Sequence, residues 1–312
     1  MRVVYCAPGS RPDAWLHDLR TLLPDATVEE WTGADGDMPA ERADYAVVWA
    51  PPDAFFAHET RLKALFNLGA GVDALMRSPA LPAGLPVVRL EDAGMAPLMA
   101  EYVAQAALRH ARRLDVMEAD ARDGRWTPRR PVDRDAFPVG VLGAGALGVP
   151  TARTLAALGF PTRLWSRTPR RIEGLECIAG LDALDGFLAA TRILVCLLPL
   201  TPDTTDLLNR RTMSRLMRGA YVINVARGAH LVDDDLLALI DEGHVAGAAL
   251  DVFREEPLPA SHRFWTEPRI TITPHVSAMT QRRATVEQIV GKIRSLERGE
   301  PVTGVVDRMR GY

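Results

Sequence analysis

Short apolar runs bounded by turn-forming residues recur along the whole chain. In the first third, RVVYCA (2–7), ADYAVVWA (43–50) and LPVVRL (85–90) have the length and β-branched content of buried strands. Residues 13–23 and HETRLKALFNLG (58–69), which lie between them, carry apolar positions at helical spacing. Runs that are apolar throughout, rather than alternating, suit strands covered on both faces, so this βαβα rhythm predicts a parallel sheet.

The stretch 96–124 (APLMAEYVAQAALRHARRLDVMEADARDG) repeats apolar residues at three and four, which predicts one long helix. The Pro/Arg-rich WTPRRPVDR (126–134) then reads as a linker. A second series of apolar runs follows: FPVGVLGAGALG (137–148), TRLWSR (162–167), RILVCLLP (192–199), GAYVINVARG (219–228), VAGAALDVF (245–253) and RITITPHV (269–276). A last helix is predicted over 281–298. The pattern therefore predicts an α/β chain of two Rossmann-like, doubly wound parallel-sheet domains with a cleft between them. Residues 1–97 plus 280–312 are expected to form one discontinuous domain, and residues 98–279 the other.

Composition narrows the class without naming it. The 312 residues are 47% hydrophobic, enough for a large core, and the net charge is −3 with 25% charged residues. No excess of one sign is present to draw the chain to nucleic acid or to an anionic membrane, so the expected partners are small molecules or protein. Lys63 and Lys292 are the only lysines; the abundance of arginine is read first as compositional bias. Cys6, Cys177 and Cys196 are widely spaced, two of them in apolar runs, and are expected to be reduced thiols in a cytoplasmic protein. The first residues read as a strand rather than a secretory signal, and no apolar stretch reaches membrane-spanning length.

The first chemical motif lies directly after the run PVGVL. Gly143-Ala144-Gly145-Ala146-Leu147-Gly148 matches G-x-G-x-x-G and opens a predicted helix, the context in which the motif binds a dinucleotide. The first glycine permits a tight turn, the second admits the pyrophosphate to the backbone, and the third lets helix and strand pack closely. About 20 residues on, where a carboxylate would take a ribose 2′-hydroxyl, the run TRLW ends in Ser166-Arg167-Thr168, followed by Arg170 and Arg171. Hydroxyls and guanidinium groups suit a 2′-phosphate, so NADPH is expected to be preferred, with NADH possible.

In an open parallel sheet, ligands collect beyond the carboxyl ends of the strands. Arg227, Glu256 and His275 each follow an apolar run closely. Reducing a 2-keto acid requires a cation for the carboxylate, a proton donor for the forming alkoxide and a hydride source. Arg227 and His275 suit the first two roles. Glu256 beside His275 would favour the charged imidazolium.

FNLGAGVDAL (66–75), EDAGMAPLMAEYV (91–103), GVLGAGALG (140–148), LPLTPDTTDLL (198–208), NVARGAHLVDDDLL (224–237), ALDVFREEPLP (249–259) and TPHVSAMT (273–280) together resemble the D-isomer-specific 2-hydroxyacid dehydrogenases. Within that family the chain is most similar to the glyoxylate/hydroxypyruvate reductase A type. The resemblance implies that Arg227 binds the substrate carboxylate, that His275 is the general acid/base and that Glu256 orients and charges it. It also implies that the amides of Ala70 and Gly71 grip the carboxylate and that Trp49 closes over a short substrate. Leu198, Pro199 and Thr204 would pack on the cofactor. Asn224, Val225, Ala226 and Asp251 would line the nicotinamide side, and Met99 would sit against the ring.

Ser166-Arg167 departs from the acidic residue of NAD-using members of the family. Glu256 departs from the glutamine that formate dehydrogenases of this fold place beside the histidine. The resemblance further implies a homodimer joined through the cofactor domains, with residues 114–130 as an arm. Two other readings share the fold: a nicotinamide-sensing, corepressor-like binding protein, and a dehydrogenase acting on larger keto acids such as phenylpyruvate.

Overall fold

The structure is a computed structural model that describes residues 1–33, 41–130 and 132–312. It divides into two compact units, Met1–Gly94 with Thr280–Tyr312, and Met95–Met279.

In the first unit β1 (Arg2–Cys6), α1 (Pro12–Leu22), β2 (Thr27–Glu30), β3 (Tyr45–Val48), α2 (Asp53–His58), β4 (Ala64–Asn67), α3 (Asp73–Met76) and β5 (Val87–Val88) succeed one another. The strands are parallel in the order β2-β1-β3-β4-β5. This is one of the two common doubly wound orders. Every residue of β3 and β4 is buried, as strands covered on both faces require.

Two features here differ from the pattern reading. Residues 58–69 were expected to be helical, but Ala64–Asn67 is β4, and the helix precedes it at Asp53–His58. Leu65 and Phe66, adjacent in sequence, are both fully buried, which a strand between two covered faces allows and a one-sided helix does not. Strand β2 gives no apolar run because it is an edge strand in which only Val28 is buried.

The second unit contains α4 (Met95–Ala111), α5 (Leu114–Arg122), β6 (Val139–Leu142), α6 (Gly148–Ala157), β7 (Thr162–Ser166), β8 (Glu176–Ala179), α7 (Leu184–Ala189), β9 (Ile193–Cys196), α8 (Arg210–Met213), β10 (Ala220–Asn224), α9 (Asp233–Asp241), β11 (Val245–Leu250) and β12 (Ile270–Ile272). A final helix, α10 (Arg282–Glu297), belongs to the first unit, where it packs on α1. The boundary between units falls before Met95 rather than at 97/98, at the residue where α4 begins.

The predicted long helix is two helices. Ala111 is the last buried residue of α4; Arg112 and Arg113 beyond it are exposed, and Arg113 turns the chain with a left-handed φ of 55°. Only Asp120 of α5 is buried, and its carboxylate accepts from Arg125 and Arg129, which fastens the start of the extended segment that follows. Pro131 of that segment lies outside the described residues.

The sheet of the second unit is parallel in the order β12-β11-β10-β9-β6-β7-β8. Counted from β6, that is the mononucleotide-binding order 3-2-1-4-5-6 extended by one strand. Successive strands run outward in opposite directions from the β6/β9 pair. The loops at the carboxyl ends of these two strands therefore diverge and leave room for a ligand between them. Among the described residues, no helix is long and apolar enough to cross a membrane.

Candidate active site

The glycine motif begins at the carboxyl end of β6. Gly143 has φ 113°, and a Cβ there would fall 2.7 Å from the Leu197 carbonyl oxygen at the end of β9. At Gly148, the first residue of α6, a Cβ would fall 1.8 Å from the Gly143 oxygen. A Cβ at Gly145 would meet nothing within 4 Å. The first and third glycines are thus required by the protein's own packing, whereas the second borders open space that a ligand can enter. No side chain caps α6; Val149 N donates to the Gly145 carbonyl at 3.2 Å and Pro150 carries no N–H, so the amides of Ala146, Leu147 and Gly148 are the ones open to an anion. Gly145 and Ala146 are exposed and Leu147 half-buried. These features fit a dinucleotide pyrophosphate.

At the end of β7, Ser166 is buried and donates its hydroxyl to the Thr168 carbonyl at 2.7 Å, so it shapes the turn rather than projecting from it. Arg167 and Thr168 are exposed, and the Arg167 guanidinium lies 3.7 Å from the Asp203 carboxylate. Arg170 reaches back to the glycine loop and donates to the Ala144 carbonyl at 3.0 Å. The end of β7 therefore carries guanidinium groups and no carboxylate of its own.

After β9, Leu198 is buried and Pro199 half-buried. Thr204 does not point outward: its hydroxyl donates to the Pro199 carbonyl at 2.7 Å and accepts from Thr201 N at 2.8 Å. Met99, on the buried face of α4, packs in the core with Ala144 and Val225. Val225 and Ala226 are themselves buried at the end of β10.

Arg227 follows them. Asn224, the fully buried last residue of β10, donates to the Arg227 carbonyl at 3.0 Å and accepts from Ala226 N at 3.2 Å, closing the turn. His230, also fully buried, faces the Arg227 carbonyl with Nδ1 at 3.0 Å and the Pro199 carbonyl with Nε2 at 3.3 Å, joining this turn to the loop after β9. A Cβ at Gly228 would fall 1.8 Å from the Phe253 carbonyl carbon. The Arg227 turn therefore lies backbone to backbone on the segment that carries Glu256.

That segment is completed by Asp251. It is fully buried, with both carboxylate oxygens engaged inside the protein. It accepts from Thr273 Oγ1 at 2.6 Å, Val276 N at 2.9 Å and Ser277 N at 2.8 Å. These bonds hold the loop after β12 in the form that presents His275, whose φ is 54° and whose N–H donates to the Asp251 carbonyl at 2.9 Å. A left-handed φ at a non-glycine residue is costly and persists where surrounding bonds over-determine it, often at functional sites. His275 Nδ1 lies 2.8 Å from Glu256 Oε2, and Glu256 Oε1 accepts from Phe253 N at 2.9 Å. With Nδ1 so engaged, Nε2 of a half-exposed ring is the nitrogen open to an incoming group.

In the first unit, Trp49 follows β3 and is 47% exposed, so core packing does not account for it. Its ring lies against Gly69, where a Cβ would come within 2.5 Å of it. Ala70 and Gly71 are half-buried in the loop after β4.

Dinucleotide-cradling glycines, a sheet that reverses order beside them and an Arg/Glu/His set on the same sheet edge define an NAD(P)-dependent oxidoreductase. Comparison with known proteins makes this specific. The family model described as D-isomer specific 2-hydroxyacid dehydrogenase, NAD binding domain, matches residues 104–277. The chain is 45% identical over 317 residues to the glyoxylate/hydroxypyruvate reductase A of Yersinia enterocolitica, with 100% of each covered. A crystal structure of a D-isomer specific 2-hydroxyacid dehydrogenase from Xanthobacter autotrophicus Py2, in complex with NADPH and MES, is 42% identical. It matches with a TM-score of 0.95 over 100% of this chain and 99% of that one. An NADPH-dependent glyoxylate/hydroxypyruvate reductase from Sinorhizobium meliloti, in complex with NADP and sulfate, is 36% identical with a TM-score of 0.93 over 100% and 99% of the two chains. The chain belongs to the D-isomer-specific 2-hydroxyacid dehydrogenase family.

Proposed function

We propose that this chain reduces small 2-keto acids, glyoxylate and hydroxypyruvate among them, to 2-hydroxy acids with NADPH. The observation that carries the reading is the Glu256–His275 pair, which leaves Nε2 of the ring as the atom able to deliver a proton. When bound, the reduced nicotinamide supplies the hydride. Arg227 pairs with the substrate carboxylate and draws the adjacent carbonyl into line. His275, its ring held through Nδ1 by Glu256, gives its Nε2 proton to the oxygen as alkoxide character develops, which is where general acid catalysis acts. Glu256 holds the ring's orientation throughout, and Asp251 holds the loop. The reading also includes Trp49, Ala70 and Gly71 as substrate contacts.

The test is NADPH oxidation with glyoxylate, hydroxypyruvate, pyruvate and phenylpyruvate. Rapid turnover of the short acids supports the reading. Tight coenzyme binding with negligible turnover of all four would instead identify a sensor.

Coenzyme choice follows from the turn after β7. Arg167 and Arg170 are the groups placed to meet a 2′-phosphate, while Ser166 and Thr168 shape and border the turn. Replacing Arg167 by alanine removes a charge-assisted contact worth about 1.5–3 kcal/mol. It is therefore expected to raise KM for NADPH roughly tenfold or more and to leave KM for NADH nearly unchanged. A wild-type catalytic efficiency with NADH at or above that with NADPH would sink the preference.

The reading includes a cytoplasmic setting, supported by three free cysteines, Cys6, Cys177 and Cys196. It also includes a homodimer in which residues 114–130 form an arm over the partner. Trp126 is 95% exposed in that segment, an arrangement suited to burial against a second copy. Light scattering is expected to give twice the chain mass, and a monomer would refute the dimer.

A further inference from the structure

Two residues of α4 reach the end of β12. Tyr102 and Arg109 are separated by two helical turns and so share a face of α4. Thr271 in β12 and Thr273 just beyond it alternate with Ile272, the spacing that puts both side chains on one side of an extended chain. Arg109 donates to Thr271 Oγ1 at 3.2 Å, and the Tyr102 hydroxyl lies 2.6 Å from Thr273 Oγ1. β12 is a short edge strand paired on one side, with β11, so side chains supply much of what fixes the loop beyond it. The hydrogen of the Thr273 hydroxyl goes to Asp251 Oδ1 at 2.6 Å. A hydroxyl has a single hydrogen, so in the Tyr102–Thr273 bond the phenol is the donor. Burial pushes the Tyr102 hydroxyl above its ordinary pKa, which keeps that hydrogen in place. A directed chain, Tyr102 to Thr273 to Asp251, therefore ends on the carboxylate that also accepts from Val276 N and Ser277 N. His275, with its left-handed φ, lies between these anchor points in the loop.

We propose that Tyr102 is a positioning residue: by orienting the Thr273 hydroxyl onto Asp251, it fixes the loop that presents His275. The phenol occupies the acceptor side of the Thr273 oxygen, which leaves the hydrogen of that hydroxyl directed at the carboxylate. Phenylalanine at this position would keep the ring packed on the core that contains Met99 and Val225, but it would free Thr273 to rotate its hydrogen elsewhere. Asp251 would then lose one of the bonds by which it holds a residue in a conformation that persists only where its surroundings over-determine it. The effect on the chemistry is indirect. His275 remains paired with Glu256, but its Nε2 is placed less often for transfer to the substrate oxygen, and small misplacements of a reacting group are costly in rate. The inference rests on the reading of His275 as the proton donor of a keto-acid reductase.

The test uses the full-length enzyme with Tyr102→Phe, Thr273→Val and Thr273→Ser. Tyr102→Phe is expected to lower kcat for glyoxylate by roughly threefold to tenfold, the loss of one buried hydrogen bond. Thr273→Val breaks the chain in its middle and should lower kcat at least as far. Thr273→Ser keeps the hydroxyl and should recover most of that loss. KM for NADPH should change by less than about twofold, since a misplaced proton donor is felt in the chemical step. In a His275→Asn background Tyr102→Phe should cost less than about twofold, because the group it positions is gone. The same fold loss in both backgrounds marks a merely structural role and overturns the proposal, as does an unchanged kcat in Tyr102→Phe. A second readout does not need turnover. The Val276 and Ser277 amides, both bonded to Asp251, are expected to exchange hydrogen faster in Tyr102→Phe than in the wild type, while the amides of β10 hold. Faster exchange in the variant of an enzyme that turns over no keto acid would reject the reductase reading and keep Tyr102 as the residue that fixes this loop. Turnover with exchange unchanged in the variant would reject that role and keep the reductase.

Discussion

Asparagine in place of His275 is expected to lower kcat for keto-acid reduction by roughly 10²–10⁴-fold, the range that a positioned proton donor contributes. KM for NADPH should hold, since the glycine loop and the β7 turn are untouched. Glu256 takes Nδ1 at 2.8 Å, so the donor is Nε2, and the amide of asparagine does not replace an imidazolium as an acid. Glu256→Gln should give a milder loss, because an amide can still hold the ring but carries no charge opposite it. Stopped-flow NADPH oxidation at saturating glyoxylate measures both. Near-full rate in the His275 variant would remove this residue from the chemistry.

Arg227→Ala is expected to reduce kcat/KM for glyoxylate by on the order of 10²–10³-fold, from the loss of a charge-assisted, partly buried contact. Arg227→Lys should recover only part of it, since an ammonium keeps the charge but not the planar fork that matches a carboxylate. The backbone of the turn should survive both changes: Asn224 holds the residue 227 carbonyl and the Ala226 N–H, and neither bond involves the guanidinium. Steady-state kinetics with coenzyme affinity as the internal control decides the matter. An alanine variant with unaltered kcat/KM would mean that the carboxylate is held elsewhere.

Buried strands were the most legible part of the sequence, because a strand covered on both faces must be apolar at nearly every position. The same feature misled at residues 64–67, where a short apolar run fits either a strand or a buried helix. Edge strands β2 and β8 are partly exposed and so leave no comparable mark. The break at Arg113 was hidden by apolar spacing that continues across it, although two consecutive arginines with nothing apolar to cover are what end α4 there.

In the site, the glycines and the polar residues just beyond strands could be found because a parallel sheet delivers its loops to one edge. The supporting residues could not, since their partners are distant carbonyls that no local pattern reveals. Asn67 and Asn224 share one signal that was available: each is a polar side chain closing an otherwise apolar, fully buried strand, and each clamps the loop that follows. His230, Gly228 and the inward engagement of Asp251 and Thr204 had no such mark.

The contact of Gly228 with the main chain at Phe253 also bears on how this enzyme could diversify. Any larger residue there would wedge the Arg227 turn away from the strip that carries Glu256, so that contact fixes the spacing between Arg227 and the carboxylate that meets His275 Nδ1. New preferences among oxoacids would have to arise by resizing the walls around the substrate's side chain, while that inner gauge stays fixed.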